Sequence, residues 1–160
     1  MLRPMSEDEY ACWYPATIKW YADDLGPADG LTPDRALEVS KKSFHELLPD
    51  GLATGNQYLW SILDEDRVVG SLWMGPHPNL PAAHWIWGIE VGKEFRSQGL
   101  GGRALAEAEQ VAVKLGSRRV ELNVFDVNES AMRMYRRLGY TVVTHKEGSM
   151  TMGKNLTPTR

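Results

Sequence analysis

The amino-acid sequence predicts an α/β or α+β domain built on a partly parallel sheet. Three observations carry that prediction. Period-two runs between Tyr58 and Val91 read as strands. Strand–helix–strand order dominates the second half, which needs a parallel pair and a crossover helix. The 160 residues, 42% of them hydrophobic, suit one domain of common size, assigned here to residues 1–160.

The elements follow in order. Leu2 to Met5 reads as a short first strand. Ser6 and Glu9 stand at capping-box spacing and open a helix from Tyr10 to about Leu25. Pro15 is expected to kink or split that helix, and Gly26 to Gly30 to form a loop. Thr32-Pro33-Asp34 starts a second helix, with a capping hydroxyl, Pro at the first position and an acid near the dipole. It ends near Leu48. Tyr58–Leu63 and Val68–Met74 flank Asp64-Glu65-Asp66-Arg67 as a hairpin. Gly75 to Pro81, with three prolines, reads as a loop in which His77 is solvated. His84 to Val91 is a further strand, rich in Trp and Ile.

In the second half, Leu100, Ala104, Leu105, Ala108, Val111, Ala112 and Leu115 form a helical stripe that stops at Gly116. Arg119 to Val124 is a strand. Asn128 caps a helix running to about Leu138, with Gly139 as its stop. Tyr140 to His145 and Ser149 to Lys154 form a last hairpin.

Composition excludes several classes. One Cys makes no internal disulfide, which points to a reducing compartment; Cys12 reads as a small, partly buried apolar residue. No run reaches the roughly 18 apolar residues that span a bilayer, and Met1 to Tyr10 lacks a signal-peptide core. A cytoplasmic protein with no membrane partner is expected. Eighteen Lys and Arg against 21 Asp and Glu give a net charge of −3, which argues against nucleic acid as a partner. No His, Cys or acid cluster stands at metal-ligand spacing.

The chemistry concentrates between Ile89 and Arg103. A strand ends, a basic glycine-rich turn follows, and a helix begins. Unpaired N–H groups and the dipole at a helix start favour an anion. Gly99, Gly101 and Gly102 let a phosphate approach the backbone, and Lys93, Arg96 and Arg103 add positive charge. The turn lacks both G-x-x-x-x-G-K-[ST] and G-x-G-x-x-G. On glycines alone, a tight packing turn explains it equally well.

Arg96-Ser97-Gln98-Gly99-Leu100-Gly101 resembles the R/Q-x-x-G-x-G/A motif of the GNAT superfamily, the acetyl-CoA-dependent N-acetyltransferases. Asn128-Glu129-Ser130-Ala131 with Tyr135 and Gly139-Tyr140 is similar to that family's N-x-x-A-x-x-x-Y-x-x-x-G-[FY] signature. The likeness covers about Trp60 to Lys154. It implies a mixed central sheet of about seven strands flanked by about four helices. That sheet would splay between its fourth and fifth strands to admit acetyl-CoA, with no metal. Ile89 and Val91 would pair the pantetheine arm through their backbone. Arg96, Ser97, Gln98, Gly99, Leu100, Gly101, Gly102 and Arg103 would hold the pyrophosphate. Asn123, Asn128 and Ser130 would line the cofactor arm.

The implied activity is direct acetyl transfer to a primary amine of a small molecule or peptide, without a protein nucleophile. Tyr135 is the candidate general acid to the thiolate sulfur. Glu90 is the candidate base, a carboxylate on an apolar strand where partial burial would strengthen it. A salt bridge to Arg119 or Lys93 is an equal alternative for it. Asn123, Ser71 or His84 could orient a water instead, although His84 reads better as structural. Asp23, Asp24, Trp20, Tyr21, Trp73 and Trp85 suit the acceptor side for a cationic amine. Trp60, Trp73, Trp85 and Trp87 are placed around the cofactor gap. A non-catalytic acyl-CoA sensor and a structural module remain alternatives, and Ser149 to Lys154 offers an edge for a homodimer.

Overall fold

The signals resolve into β1 (Leu2–Pro4), α1 (Glu7–Asp29), α2 (Pro33–Leu47), β2 (Tyr58–Asp64), β3 (Arg67–Pro76), β4 (Ala83–Val91), α3 (Leu100–Lys114), β5 (Arg119–Phe125), α4 (Glu129–Arg137), β6 (Thr141–Lys146) and β7 (Ser149–Asn155). This is a computed structural model that describes residues 1–158; Thr159 and Arg160, inside the span assigned to one domain, lie outside the described residues. The chain packs as two units, Met1–Pro4 with the chain from Tyr58 on, and Met5–Gln57.

The smaller unit is a helix pair. The Ser6 hydroxyl accepts the Glu9 N–H at 3.2 Å, and the Glu9 carboxylate accepts the Ser6 N–H at 2.9 Å. Against expectation, α1 runs unbroken through Pro15 and Pro27, so Gly26 to Asp29 is helix and not loop. Each proline removes one N–H from the ladder. Packing on both sides of Pro15 compensates: Trp13 and Tyr14 before it, and Tyr21 after it, all lie against Phe44 of α2 with ring centroids 5.9–6.4 Å apart. The buried Ser40 hydroxyl of α2 donates to the Ile18 carbonyl of α1 at 2.8 Å. Left-handed Gly30 closes α1 through its N–H to the Gly26 carbonyl.

The larger unit is a seven-stranded sheet in the order β1-β2-β3-β4-β5-β7-β6. Among the described residues only β4 and β5 pair in parallel, as the connection through α3 requires. Leu100, Ala104, Leu105, Ala108 and Ala112 of α3 pack on one face with Ile62, Leu72, Met74, Ile86, Val120 and Leu122. Tyr135 of α4 and Tyr140 join the same core. Among the described residues, the mixed sheet, its seven strands and the four α-helices are as expected. The edge is not: β7 lies between β5 and β6, so Ser149–Asn155 is interior and the edges belong to β1 and to β6, whose residues are all exposed.

Candidate active site

The parallel pairing of β4 with β5 is short. It runs from Ala83↔Arg119 to Ile86↔Leu122 and then stops, while β4 continues to Val91 and β5 to Phe125. Both strands stay paired on their outer sides, β4 with β3 as far as Val91 and β5 with β7 as far as Phe125. Their inner edges therefore part into a wedge lined by unpaired backbone. Peptide groups of this kind need partners, and an extended amide-bearing chain fits between them as an added strand. Ile89, Val91 and Asn123 lie along this wedge. The Val91 carbonyl also accepts from Arg96 Nε at 2.9 Å, which fastens the following turn to the strand end.

That turn is built for positive-φ backbone. Ser97 has φ 65°, Gly99 φ 77°, and Gly99 is the N-cap of α3 without any side-chain cap. The first intrahelical bond comes from the Arg103 N–H to the Gly99 carbonyl, so the amides of Leu100, Gly101 and Gly102 point out of the helix start. Gly92 anchors the turn through its N–H to the Val69 carbonyl at 2.7 Å. Gly101 packs against Met134 and Gly102 against Leu138, so the starts of α3 and the body of α4 adjoin. Lys93, Arg96, Ser97, Gln98 and Arg103 are exposed there. Exposed amides, glycines and cations without an ion pair among the described residues fit a pyrophosphate.

On α4, Asn128 accepts the Ala131 N–H at 3.3 Å through Oδ1, so its capping role holds, with the Ser130 hydroxyl at 3.5 Å. Tyr135 is buried; its hydroxyl has no hydrogen-bond partner among the described residues, and burial pushes it up to about 12. Its ring lies 5.9 Å from that of Tyr140.

Glu90 departs from expectation. It is exposed rather than partly buried, and it pairs with neither Arg119 nor Lys93 among the described residues. Ser71 faces it across the β3–β4 pair. His84 lies elsewhere, tilted against Tyr58 at 6.5 Å, with burial lowering its basicity and Nδ1 buried without a partner. It sits in the paired stretch of β4, opposite Val120, and not along the unpaired end of the strand.

The tryptophans divide. Trp60 stacks on Tyr58 in the core of β2, two strands from the wedge. Trp73, Trp85 and Trp87 instead lie on the sheet face away from α3. Trp73 and Trp87 stack at 5.6 Å, and Trp85 meets Trp87 at 5.9 Å. The register of β3 on β4 slips by one residue here, since Trp73 faces Gly88 while Met74 faces Ile86. Trp87 is the extra residue of this bulge, and its Nε1 is buried without a partner among the described residues. In the other unit, Trp20 is exposed. The Asp24 carboxyl is raised by burial and by neighbouring Asp23, and Tyr21 by burial and Asp29.

Two networks went unseen in the sequence. His77 is not solvated: its side chain is 6% exposed, and Nε2 lies 2.7 Å from Glu121. Nδ1 accepts the Asn79 and Leu80 N–H groups at 3.0 Å, so Nε2 carries the proton and donates. Arg119 Nε donates to the other Glu121 oxygen at 2.7 Å. Burial raises the Glu121 carboxyl, but the bonds and charges of Arg119 and His77 outweigh it, and the net direction is down. Elsewhere, buried Glu109 of α3 accepts the Tyr140 hydroxyl and the Lys154 ammonium, both at 2.8 Å. Burial first, then Glu109, pushes the Tyr140 phenol far above its usual range. Cys12 is exposed, not partly buried. No metal-ligating cluster occurs among the described residues, and no helix there is long and apolar enough to cross a membrane.

Residues 14–140 match the family model described as the acetyltransferase (GNAT) family. An uncharacterised N-acetyltransferase of Bacillus subtilis (strain 168), YycN, is 34% identical over 158 residues, covering 98% of both chains. The crystal structure of YycN superposes with a TM-score of 0.80 at 34% identity, covering 91% of this chain and 96% of that one. The PaiA N-acetyltransferase of Thermoplasma acidophilum, solved in complex with coenzyme A, shares the fold at 15% identity with a TM-score of 0.66, covering 97% and 98%.

Proposed function

The chain belongs to the GNAT acetyltransferase family, and from that premise we propose that it moves the acetyl group of acetyl-CoA directly onto a primary amine. The observation that carries the reading is the wedge between β4 and β5, which opens beside the uncapped start of α3. A thioester arm fits the first and a pyrophosphate the second. Ile89 and Val91 supply strand-edge backbone to the arm. The amides from Arg96 to Gly102, with the Arg103 charge, take the diphosphate. Asn123, Asn128 and Ser130 line the far wall.

In the transfer, the amine nitrogen bonds the acyl carbon and the C–S bond breaks. The amine gives up one proton, and the thiolate gains one. Glu90, exposed at the wedge face, accepts the amine proton directly or through a water held with Ser71 or Asn123, and passes it to solvent. Tyr135 donates to the sulfur and takes a proton back from solvent before the next turnover. Burial makes it a weaker acid than a free phenol. Its contribution is therefore greatest as a hydrogen bond to the developing thiolate, with the proton following as the C–S bond parts. No nucleophilic side chain is required, and exposed Cys12 sits in α1.

The test is release of free thiol from acetyl-CoA with a panel of primary amines and peptides. Amine-dependent thiol release, together with a rise in melting temperature on adding acetyl-CoA, supports the reading. No shift with acetyl-CoA and no release with any amine would sink it.

A further inference from the structure

We propose that Tyr140 is a positioning residue for the transfer: its hydroxyl, bonded to Glu109 of α3, holds the Tyr135 ring in the placement that presents the Tyr135 hydroxyl to the leaving sulfur. This rests on the reading in which Tyr135 assists that sulfur, and goes further by naming what places it.

The first observation is how α4 ends. Gly139 takes φ 96°. The Tyr140 N–H donates to the Tyr135 carbonyl at 3.0 Å, and the Gly139 N–H donates to the Arg136 carbonyl at 3.1 Å. Two such bonds across a left-handed glycine make a Schellman motif, in which the outermost bonded residues also bring their side chains together. Here those residues are Tyr135 and Tyr140, and their rings lie 5.9 Å apart at 59°. Tyr140 therefore holds Tyr135 twice. The backbone bond fixes the residue, and the ring contact fixes the side chain.

The second is what holds Tyr140. The residue is buried, and its hydroxyl donates to Glu109 Oε2 at 2.8 Å. Lys154 Nζ of β7 donates to the other Glu109 oxygen at 2.8 Å and lies 5.8 Å over the Tyr140 ring. The lysine stem covers the side of Gly139 where a Cβ would stand, at 3.6–3.8 Å. A buried carboxylate is costly unless it is paired and bonded, and here both oxygens are used. Burial and Glu109 push the Tyr140 phenol upward, so it stays a donor. An apolar trio would fill the same space, but a hydrogen bond restricts angle as well as distance.

The third is where Glu109 stands. It belongs to α3, whose start carries the outward amides of Leu100 to Gly102. Gly101 and Gly102 pack against Met134 and Leu138, which flank Tyr135 in sequence. Glu109 adds a third tie further along the same helix, through Tyr140. The segment that carries the phenol is thus fastened to α3 at three points. The signature that ends in Gly139-Tyr140 admits Phe as well as Tyr at its last position. A ring alone satisfies that pattern, and the hydroxyl bond is a feature of this chain.

The experiment uses the full chain carrying Tyr140→Phe, which keeps the ring and removes the bond. With acetyl-CoA and the fastest primary amine of the panel, kcat should fall about tenfold while the acetyl-CoA KM stays within about twofold, because a displaced group loses rate rather than affinity. In a Tyr135→Phe background the same change should lower kcat by at most about twofold, since no hydroxyl is left to place. Glu109→Gln still offers an oxygen to Tyr140 and should retain severalfold more kcat than Glu109→Leu. In an NMR spectrum of isotope-labelled tyrosine, the Tyr135 ring signals, assigned by their loss in Tyr135→Phe, should shift and broaden in Tyr140→Phe. Those of Tyr10, Tyr14, Tyr21 and Tyr58 should stay. A merely structural role would lower the melting temperature and cut kcat equally in both backgrounds. That equality, or unchanged Tyr135 ring signals, would overturn the inference. No thiol release from the native chain with any amine would strike the transfer reading instead, and the ring signals would still decide whether Tyr140 holds Tyr135.

Discussion

Tyr135 lies in the core, and its hydroxyl has no hydrogen-bond partner among the described residues, which leaves it able to bond a ligand atom. Tyr135→Phe should leave melting temperature and acetyl-CoA KM nearly unchanged and lower kcat by about 10²-fold, the ordinary size of proton-transfer assistance. The raised value also has a pH consequence. A phenol held near 12 against an ordinary 10 stays protonated longer in the folded state, so its stabilisation is complete below 10 and is lost as pH rises through about 12. The kcat profile of the native enzyme should accordingly show no phenol-dependent fall between pH 8 and 10. A fall there that disappears in Tyr135→Phe would refute the assignment. Glu121 has the opposite sign. Its folded value lies below the ordinary 4.5, so its stabilisation is present above 4.5 and lost as pH falls through the depressed value. Glu121→Gln should cost roughly 1–3 kcal/mol at pH 7 by urea unfolding, with the deficit shrinking in acid. A deficit independent of pH would show that the carboxylate charge contributes nothing.

At the scale of elements, what the sequence revealed was what neighbouring residues decide. The Ser6–Glu9 box, the Thr32-Pro33 helix start, the Asn128 cap and the glycine turn before α3 are all local in sequence, and each stands where its residues imply. The misses are non-local. Tyr140–Glu109, His77–Glu121 and Lys154–Glu109 join residues 31, 44 and 45 positions apart, so no spacing rule could pair them. Pro15 misled for the same reason, because the rings that carry α1 past it belong partly to α2. The bulge at Trp87 was a local signal overlooked: a glycine within an aromatic strand marks an irregular register. The turn before α3 yields an element-scale prediction. Gly99 has φ 77° with open space where its Cβ would be, so Gly99→Ala incurs backbone strain of about 1–2 kcal/mol and no clash. That strain tilts the outward amides of Leu100 to Gly102. The acetyl-CoA KM should rise severalfold with kcat held within about twofold. A fall in kcat at constant KM would move the turn from binding to chemistry.

For the whole molecule, charge is the matter to settle. A chain of net charge −3 must attract a polyanion, and the average field opposes it. The distribution resolves the conflict. From Gly92 to Arg103 there are three basic residues against one acid, and from Glu129 to Arg137 again three against one. The contacts of Gly101 with Met134 and of Gly102 with Leu138 bring these two segments together, where six basic residues stand against two acids. The arginines and lysine involved are exposed, hence strongly screened by salt. Raising ionic strength from 50 to 500 mM shortens the screening length from roughly 14 to 4 Å. The acetyl-CoA KM should then rise severalfold, with kcat at saturation held within about twofold, because the proposed chemical step lies in the wedge, apart from the proposed diphosphate site. Arg133→Glu with Arg137→Glu should raise the KM at low salt, leave little difference at high salt and so flatten the salt dependence. A KM indifferent to salt in the native chain would show that the outward amides of α3 alone hold the anion, and that the clustered arginines act in something other than acetyl-CoA capture.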